Sequence, residues 1–170
     1  MGDINPFPMV NIFLGILSDS TESMPSLQKE LEAQWGPSKA ISTIIPFSHS
    51  EYYKQEMGTP LFKYLLSFQN PINPEHVYTL KIFTQAIEQK HTQNGKRQLN
   101  LDPGYITPYQ VVLLSTKNYA HRIPLQEGIY AELELLYAKG QFQSLPWTYP
   151  DFKSAAFQAF FKKIRYTNPT

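Results

Sequence analysis

With 170 residues, 42% apolar and 14% aromatic, the chain can bury one sizeable core and is too apolar to be disordered. A net charge of +1 gives no basic excess for a nucleic-acid partner. The absence of cysteine excludes disulfides, thiolate catalysis and cysteine-ligated zinc or iron–sulfur sites.

The chain order starts with residues 1–8, which carry two prolines and read as a flexible leader. The apolar run over 10–17 predicts a strand buried on both faces; Asn11 and Gly15 interrupt it, and no segment is long and apolar enough to span a bilayer. The N-terminus lacks a basic start and a small-residue cleavage site, and Pro6 stands where myristoylation needs Ser or Thr. A cytoplasmic protein without a membrane partner is the expectation. Leu27, Leu31 and Trp35 then fall on one helix face that Gly36-Pro37 ends. A second strand is predicted over 40–46, an irregular stretch over 47–63, and a third strand over 64–68. Asn73-Pro74-Glu75 opens a helix carrying Val77, Leu80, Phe83 and Ile87, and Asn94-Gly95 stops it.

Residues 98–101 read as a fourth strand and Asp102-Pro103-Gly104 as a turn. Thr107-Pro108-Tyr109-Gln110 has the form of a capping box and predicts a short helix to about Thr116. Strands over 121–125, 129–137 and 141–145 form an antiparallel meander, and Phe160 and Ile164 mark a last helix with Phe157 and Phe161 alongside. This order predicts one domain over 1–170, α/β or α+β, with a mixed β-sheet and helices on its faces. Its first part, βαββαβ, is compatible with a ferredoxin-like arrangement.

Asp102, Lys117, His121, Arg122, Glu132 and Glu134 gather in the stretch from Asn100 to Tyr137, in a chain only 17% charged. A three-residue loop at Gln126-Glu127-Gly128 sets Arg122 opposite Glu132 and Pro124 opposite Tyr130. Tyr130, Glu132, Glu134 and Arg122 then share one face, while Ile129, Ala131, Leu133, Leu135 and Tyr137 share the other. That polar face is either solvated, with a weak ion pair, or the floor of a pocket. Asp102, beyond a strand end, suits a metal ligand or general base, or else an Asx turn. Arg97 and Lys117 suit phosphate, or are ordinary surface cations. His121 suits a general acid or base, or a structural hydrogen bond.

Asp102, His121 and Glu132 together would suit a hard divalent metal, although no HxH, HxxxH or DxD spacing supports it. Tyr52, Tyr53 and Glu56, with His49 nearby, could stack a base or sugar, or cover a core edge. His76 and His91 sit near helix ends, where capping or exposure suffices. P-loop, GxGxxG, GxSxG and HExxH motifs are absent, so neither a P-loop nor a Rossmann cofactor is expected.

Seven blocks carry a resemblance: Tyr52-Tyr53-Lys54-Gln55-Glu56-Met57-Gly58, Asn94-Gly95-Lys96-Arg97, Asn100-Leu101-Asp102-Pro103-Gly104-Tyr105, Ser115-Thr116-Lys117, His121-Arg122-Ile123, Gly128-Ile129-Tyr130-Ala131-Glu132 and Pro146-Trp147-Thr148-Tyr149-Pro150-Asp151. In collinear order over nearly the whole chain, they resemble the prokaryotic family catalogued as domain of unknown function 4416. One departure is Gln110, where Lys is usual. The resemblance brings no activity with it, but implies that these polar and turn blocks, not the helix stripes, are what the family shares.

The leading expectation is binding, with or without turnover, of a phosphorylated small molecule or nucleotide. Arg97, Lys117 and Arg122 would neutralise phosphate, and Tyr105 would contact the ligand. Asp102 and Glu132 would hold a divalent ion or a sugar hydroxyl, with His121 and Asp102 as acid or base. Two alternatives stand beside it. One is a non-enzymatic interaction module using Tyr52, Tyr53, Trp147 and Tyr149; the other is a metal-dependent phosphoester hydrolase.

Overall fold

A computed structural model describes residues 2–48 and 50–165. In chain order the elements are β1 (Asn11–Ser18), α1 (Met24–Trp35), β2 (Ser38–Ile41), β3 (Ile45–Pro46), α2 (Glu51–Met57) and β4 (Phe62–Phe68). A 3₁₀ turn (Pro74–His76) leads into α3 (Tyr78–Lys90), followed by β5 (Thr92–Gln93), β6 (Lys96–Arg97), β7 (Leu99–Ile106) and β8 (Gln110–Ser115). Then come β9 (Arg122–Pro124), β10 (Tyr130–Ala138), β11 (Gln141–Ser144), a second 3₁₀ turn (Pro150–Lys153) and α4 (Ala155–Arg165).

The main sheet runs β11-β10-β8-β7-β1-β4-β2, with β3 beside β4 and β9 beside β10; β5 and β6 form a separate hairpin. Every residue of β1 is buried, because the strand lies mid-sheet with helices on both sides; this accounts for its unbroken apolar run. Counting the four strands of the βαββαβ part in sequence, β7-β1-β4-β2 is the order fourth, first, third, second. That is the ferredoxin-like arrangement. The α+β alternative is the one observed. Among the described residues all paired strands are antiparallel, without the parallel pairing that a mixed sheet implies. One core layer packs Leu27, Leu31, Leu80 and Ile87 from α1 and α3 on Ile12, Leu14 and Ile16. The other packs Phe157, Phe160, Phe161 and Ile164 of α4 on Phe13, Leu65 and Leu135.

Three local expectations are corrected. The stretch 47–63 contains α2. The strand starting near residue 98 runs straight through Asp102-Pro103-Gly104 to Ile106, so Asp102 lies within a strand and not in a turn. The capping-box residue Thr107 caps a hairpin instead of a helix: its Oγ1 accepts from the N–H groups of Tyr109 and Gln110, both at 3.1 Å. Residues 110–115 become strand because Val111, Val112, Leu113 and Leu114 are all buried, and an unbroken apolar run opened by two β-branched valines fits a sheet interior better than an amphipathic helix. The 122–124 and 129–137 strands pair in the expected register, Arg122 opposite Glu132 and Pro124 opposite Tyr130. Further along β10 the pairing jumps from Leu133–Val112 to Leu135–Val111, leaving Glu134 as the extra residue of a bulge. The bulge inverts the alternation, so Leu135 enters the α4 layer instead of sharing a face with Ile129.

The feature that positions the site is a split in the sheet. Strands β7 and β8 pair only over residues 104–106 and 111–113. The next pair in register would set Pro103 against Leu114, and proline has no N–H to give. Beyond it, the backbone of Leu101 is satisfied by α3 instead: Glu88 Oε1 accepts from its N–H at 2.5 Å, and Lys81 Nζ donates to its carbonyl at 2.9 Å.

Candidate functional site

A cleft of about 410 Å³ opens at this split. Asn100 and Asp102 of β7 line one side, Leu113, Leu114 and Ser115 of β8 the other, and Lys81, Gln85 and Glu88 of α3 close the gap. Tyr52 and Tyr53 of α2 and the segment 149–151 complete the walls. Of the residues expected at a site, Arg97, Asp102, Lys117, Arg122 and Glu132 line this cleft. His121 and Tyr105 are not part of its lining. Tyr105 packs half-buried in the α1–α3 core layer, and Gln110 pairs with Leu136 at the far end of β8. His49 lies outside the described residues.

Each guanidinium is engaged. Arg97 forks onto Glu56, Nε to Oε1 at 3.2 Å and Nη2 to Oε2 at 2.8 Å, and donates through Nη1 to Asn100 Oδ1 at 2.8 Å. It thereby ties α2 to β7. Arg122 donates from Nε to Glu132 Oε2 at 2.8 Å, and from Nη1 to Ser115 Oγ and the Lys117 carbonyl, both at 2.9 Å. Its Nη2 reaches the Tyr149 hydroxyl at 3.3 Å. Glu132 also bonds His121 Nε2 at 2.5 Å, and His121 stacks on Trp147 with ring centroids 4.7 Å apart. His121 therefore sits behind Glu132, and on the polar face of β10 Glu132 and Glu134 are buried while Tyr130 is half-buried.

Lysines supply the rest of the positive charge. Lys63 Nζ lies 2.5 Å from Asp151 Oδ2, close to the Phe47 and Phe152 rings. Lys81 Nζ lies 3.8 Å from Asp102 Oδ1, whose other oxygen accepts from Asn100 Nδ2 at 2.8 Å. Lys117 is exposed, its Nζ 6.0 Å from the Tyr52 ring centre. Burial pushes the Tyr53 and Tyr149 hydroxyls above their ordinary range, reinforced by Asp102 at Tyr53 and by Glu132 at Tyr149, so both remain donors. Glu134 is fully buried. Its Oε2 accepts from the Tyr149 N–H at 3.1 Å, its Oε1 has no hydrogen-bond partner among the described residues, and burial pushes its carboxyl up to about 8.

Among the described residues, no group of three His, Asp or Glu side chains converges as metal ligands would. Asp102 and Glu132 each face a cation, and the two-carboxylate, one-imidazole set does not assemble. Sequence reasoning missed Lys63, Lys81, Gln85, Glu88, Asn100 and Asp151 as lining residues. A signal existed for three of them: Lys81, Gln85 and Glu88 recur at i, i+4 and i+7, a polar stripe beside the apolar one on α3.

Fold and site together define an antiparallel α+β protein with a charged cleft in a split sheet. A family profile, the domain of unknown function DUF4416, matches residues 8–167, and the chain belongs to that family. Searches of curated proteins and of solved structures each return no match.

Proposed function

We propose that this protein binds a small phosphorylated molecule, a sugar phosphate or nucleotide, in the cleft. The observation that carries the reading is the convergence of Lys63, Lys81, Arg97, Lys117 and Arg122 on one cavity of ligand size. Lys117 is the group best suited to phosphate. It is exposed, and among the described residues it has no carboxylate within ion-pair distance. Arg97 and Arg122 hold carboxylates already, so they fix the walls, and Glu88, Asp102, Glu132 and Asp151 on the same lining leave Lys117 as its net positive charge. Tyr52, Tyr53 and Phe47 offer ring surface to a base or sugar. Phosphorylated metabolites are held inside cells, so the reading places the protein in the cytoplasm. The net charge of +1 supports a small ligand over nucleic acid.

Thermal unfolding against a panel of nucleotides, sugar phosphates, inorganic phosphate and divalent metals tests it. A ligand at about a hundred times its Kd should add roughly 2.7 kcal/mol, and Lys117→Ala should abolish the rise without lowering the ligand-free melting temperature. No rise with any compound overturns the reading. It would favour the interaction-module alternative instead, which the exposure of Tyr52 (58%), Tyr149 (43%) and Trp147 (36%) supports.

A further inference from the structure

We infer that Lys81 and Asp102 form a hydroxyl-binding pair, which makes the ligand a phosphate ester of a polyol; this rests on the anion-binding reading of the same cleft. Both side chains line the cavity, and both have bonding capacity to spare. Lys81 Nζ spends one N–H on the Leu101 carbonyl at 2.9 Å. Asp102 Oδ2 is taken by Asn100, while Oδ1 faces Nζ at 3.8 Å. That separation is too long for a direct hydrogen bond, yet admits an oxygen within bonding distance of both atoms.

The charges decide what that oxygen belongs to. A ligand phosphate or carboxylate would gain from Lys81 but be repelled by Asp102. An ammonium group would gain from Asp102 but be repelled by Lys81. A neutral hydroxyl can accept from the ammonium and donate to the carboxylate, so it satisfies both. The pair is held for this task. Lys81 is anchored by the strand backbone that Pro103 leaves unpaired, and Asp102 is fixed through Asn100, which Arg97 fixes in turn. Lys117, exposed on the same cleft, then takes the phosphate end. The discrimination is against ligands without hydroxyls, since an unfilled Lys–Asp pair in a covered site leaves charged groups unsolvated.

Titration calorimetry of the full chain with ribose 5-phosphate and with methyl phosphate tests this. Ribose 5-phosphate should bind at least tenfold tighter than methyl phosphate. Asp102→Asn places an amide N–H at the Oδ1 position, because Asn100 Nδ2 keeps the carbonyl oxygen beside it. That variant should lose roughly tenfold or more of ribose 5-phosphate affinity, with methyl phosphate unchanged. Lys81→Met should do the same, and Asp102→Asn decides alone if that variant fails to fold. Equal affinity for both probes in the wild type overturns the hydroxyl pair but leaves anion binding standing. Loss of both probes in the Asp102→Asn variant also overturns it, and binding of neither probe by the wild type removes the anion reading and the inference together.

Discussion

Arg122 and Glu132 have side-chain exposures of only 8% and 3%, so they do not behave like the marginal surface pair that opposed charges on a hairpin usually form. Removing the guanidinium leaves a buried carboxylate with His121 as its remaining hydrogen-bond partner. Arg122→Ala should therefore destabilise the protein by about 3 kcal/mol, read as a lower urea midpoint. An unchanged midpoint with lost phosphate binding would instead return Arg122 to the direct ligand role that its place in the sequence suggested. Glu134 makes the opposite kind of prediction. Its carboxyl is raised from 4.5 to about 8, first by burial and then by Glu132 and Asp151, against the Tyr149 N–H. Between those values the unfolded chain has released a proton that the folded chain retains, so stability falls as pH rises from about 4.5 to about 8 and levels off above. The ceiling of this loss is of order 5 kcal/mol. Glu134→Gln keeps the Tyr149 contact and cannot ionise. It should match wild type near pH 4.5 and melt higher near pH 8, and parallel melting curves at both pH values would refute the assignment.

Strand β7 joins these residues into a site. Gly104 lets it pair with β8: a methyl group there would collide with the Val112 carbonyl and with the ring of Phe13, itself fully buried. Gly104→Ala should cost about 3 kcal/mol in urea unfolding, because neither a strand backbone nor a packed ring can give way. One residue earlier, Pro103 ends the ladder, so an adjacent Gly and Pro set where the sheet closes and where it opens. The same dipeptide is why local sequence signals point to a turn where the chain forms a strand. Asp-Pro-Gly is a strong local turn signal, yet Asp102, Pro103 and Gly104 themselves lie opposite Gly15, Leu14 and Phe13 of β1, a long-range demand that local chemistry does not display. Likewise Thr107 caps its neighbours' N–H groups whether a helix or a hairpin follows, so only the buried run 111–114 distinguishes the two. Where burial follows directly from composition, as in β1, the α1 face and the α4 face, the elements were legible. The hairpin register was also legible, because a fixed loop length sets it, and it brought Arg122 to Glu132. Asn100 was not, since a lone polar residue between Leu99 and Leu101 carries no sign of what it meets across the fold; the stripe of Lys81, Gln85 and Glu88 marks a polar helix face but not the strand it meets.

At the scale of the whole molecule, one sheet serves as the shared wall of both core layers. Phe13 and Leu65 point to α4, while Leu14, Ile16 and Leu66, on the same two strands, point to α1 and α3. Neither layer can lose its sheet face without exposing the other, so the two should unfold together in spite of the cleft between β7 and β8. The two tryptophans report on this separately. Trp35 packs in the α1–α3 layer, edge-on to Phe68 and Phe83 at 5.2 and 5.3 Å between ring centres. Trp147 lies beyond the split, against His121, its indole N–H donating to the Leu133 carbonyl at 2.7 Å. In Trp147→Phe only the first is left to follow by fluorescence, and in Trp35→Phe only the second. In each variant the urea midpoint by fluorescence should coincide with that by far-ultraviolet circular dichroism, even though each substitution shifts overall stability by its own amount. If Trp147 emission changes well before the circular dichroism does, the β8–β11 side opens on its own and the cleft is a hinge between two cooperative units. If the two signals coincide, the cleft walls are held by the stability of the whole sheet, and a ligand meets a site already formed.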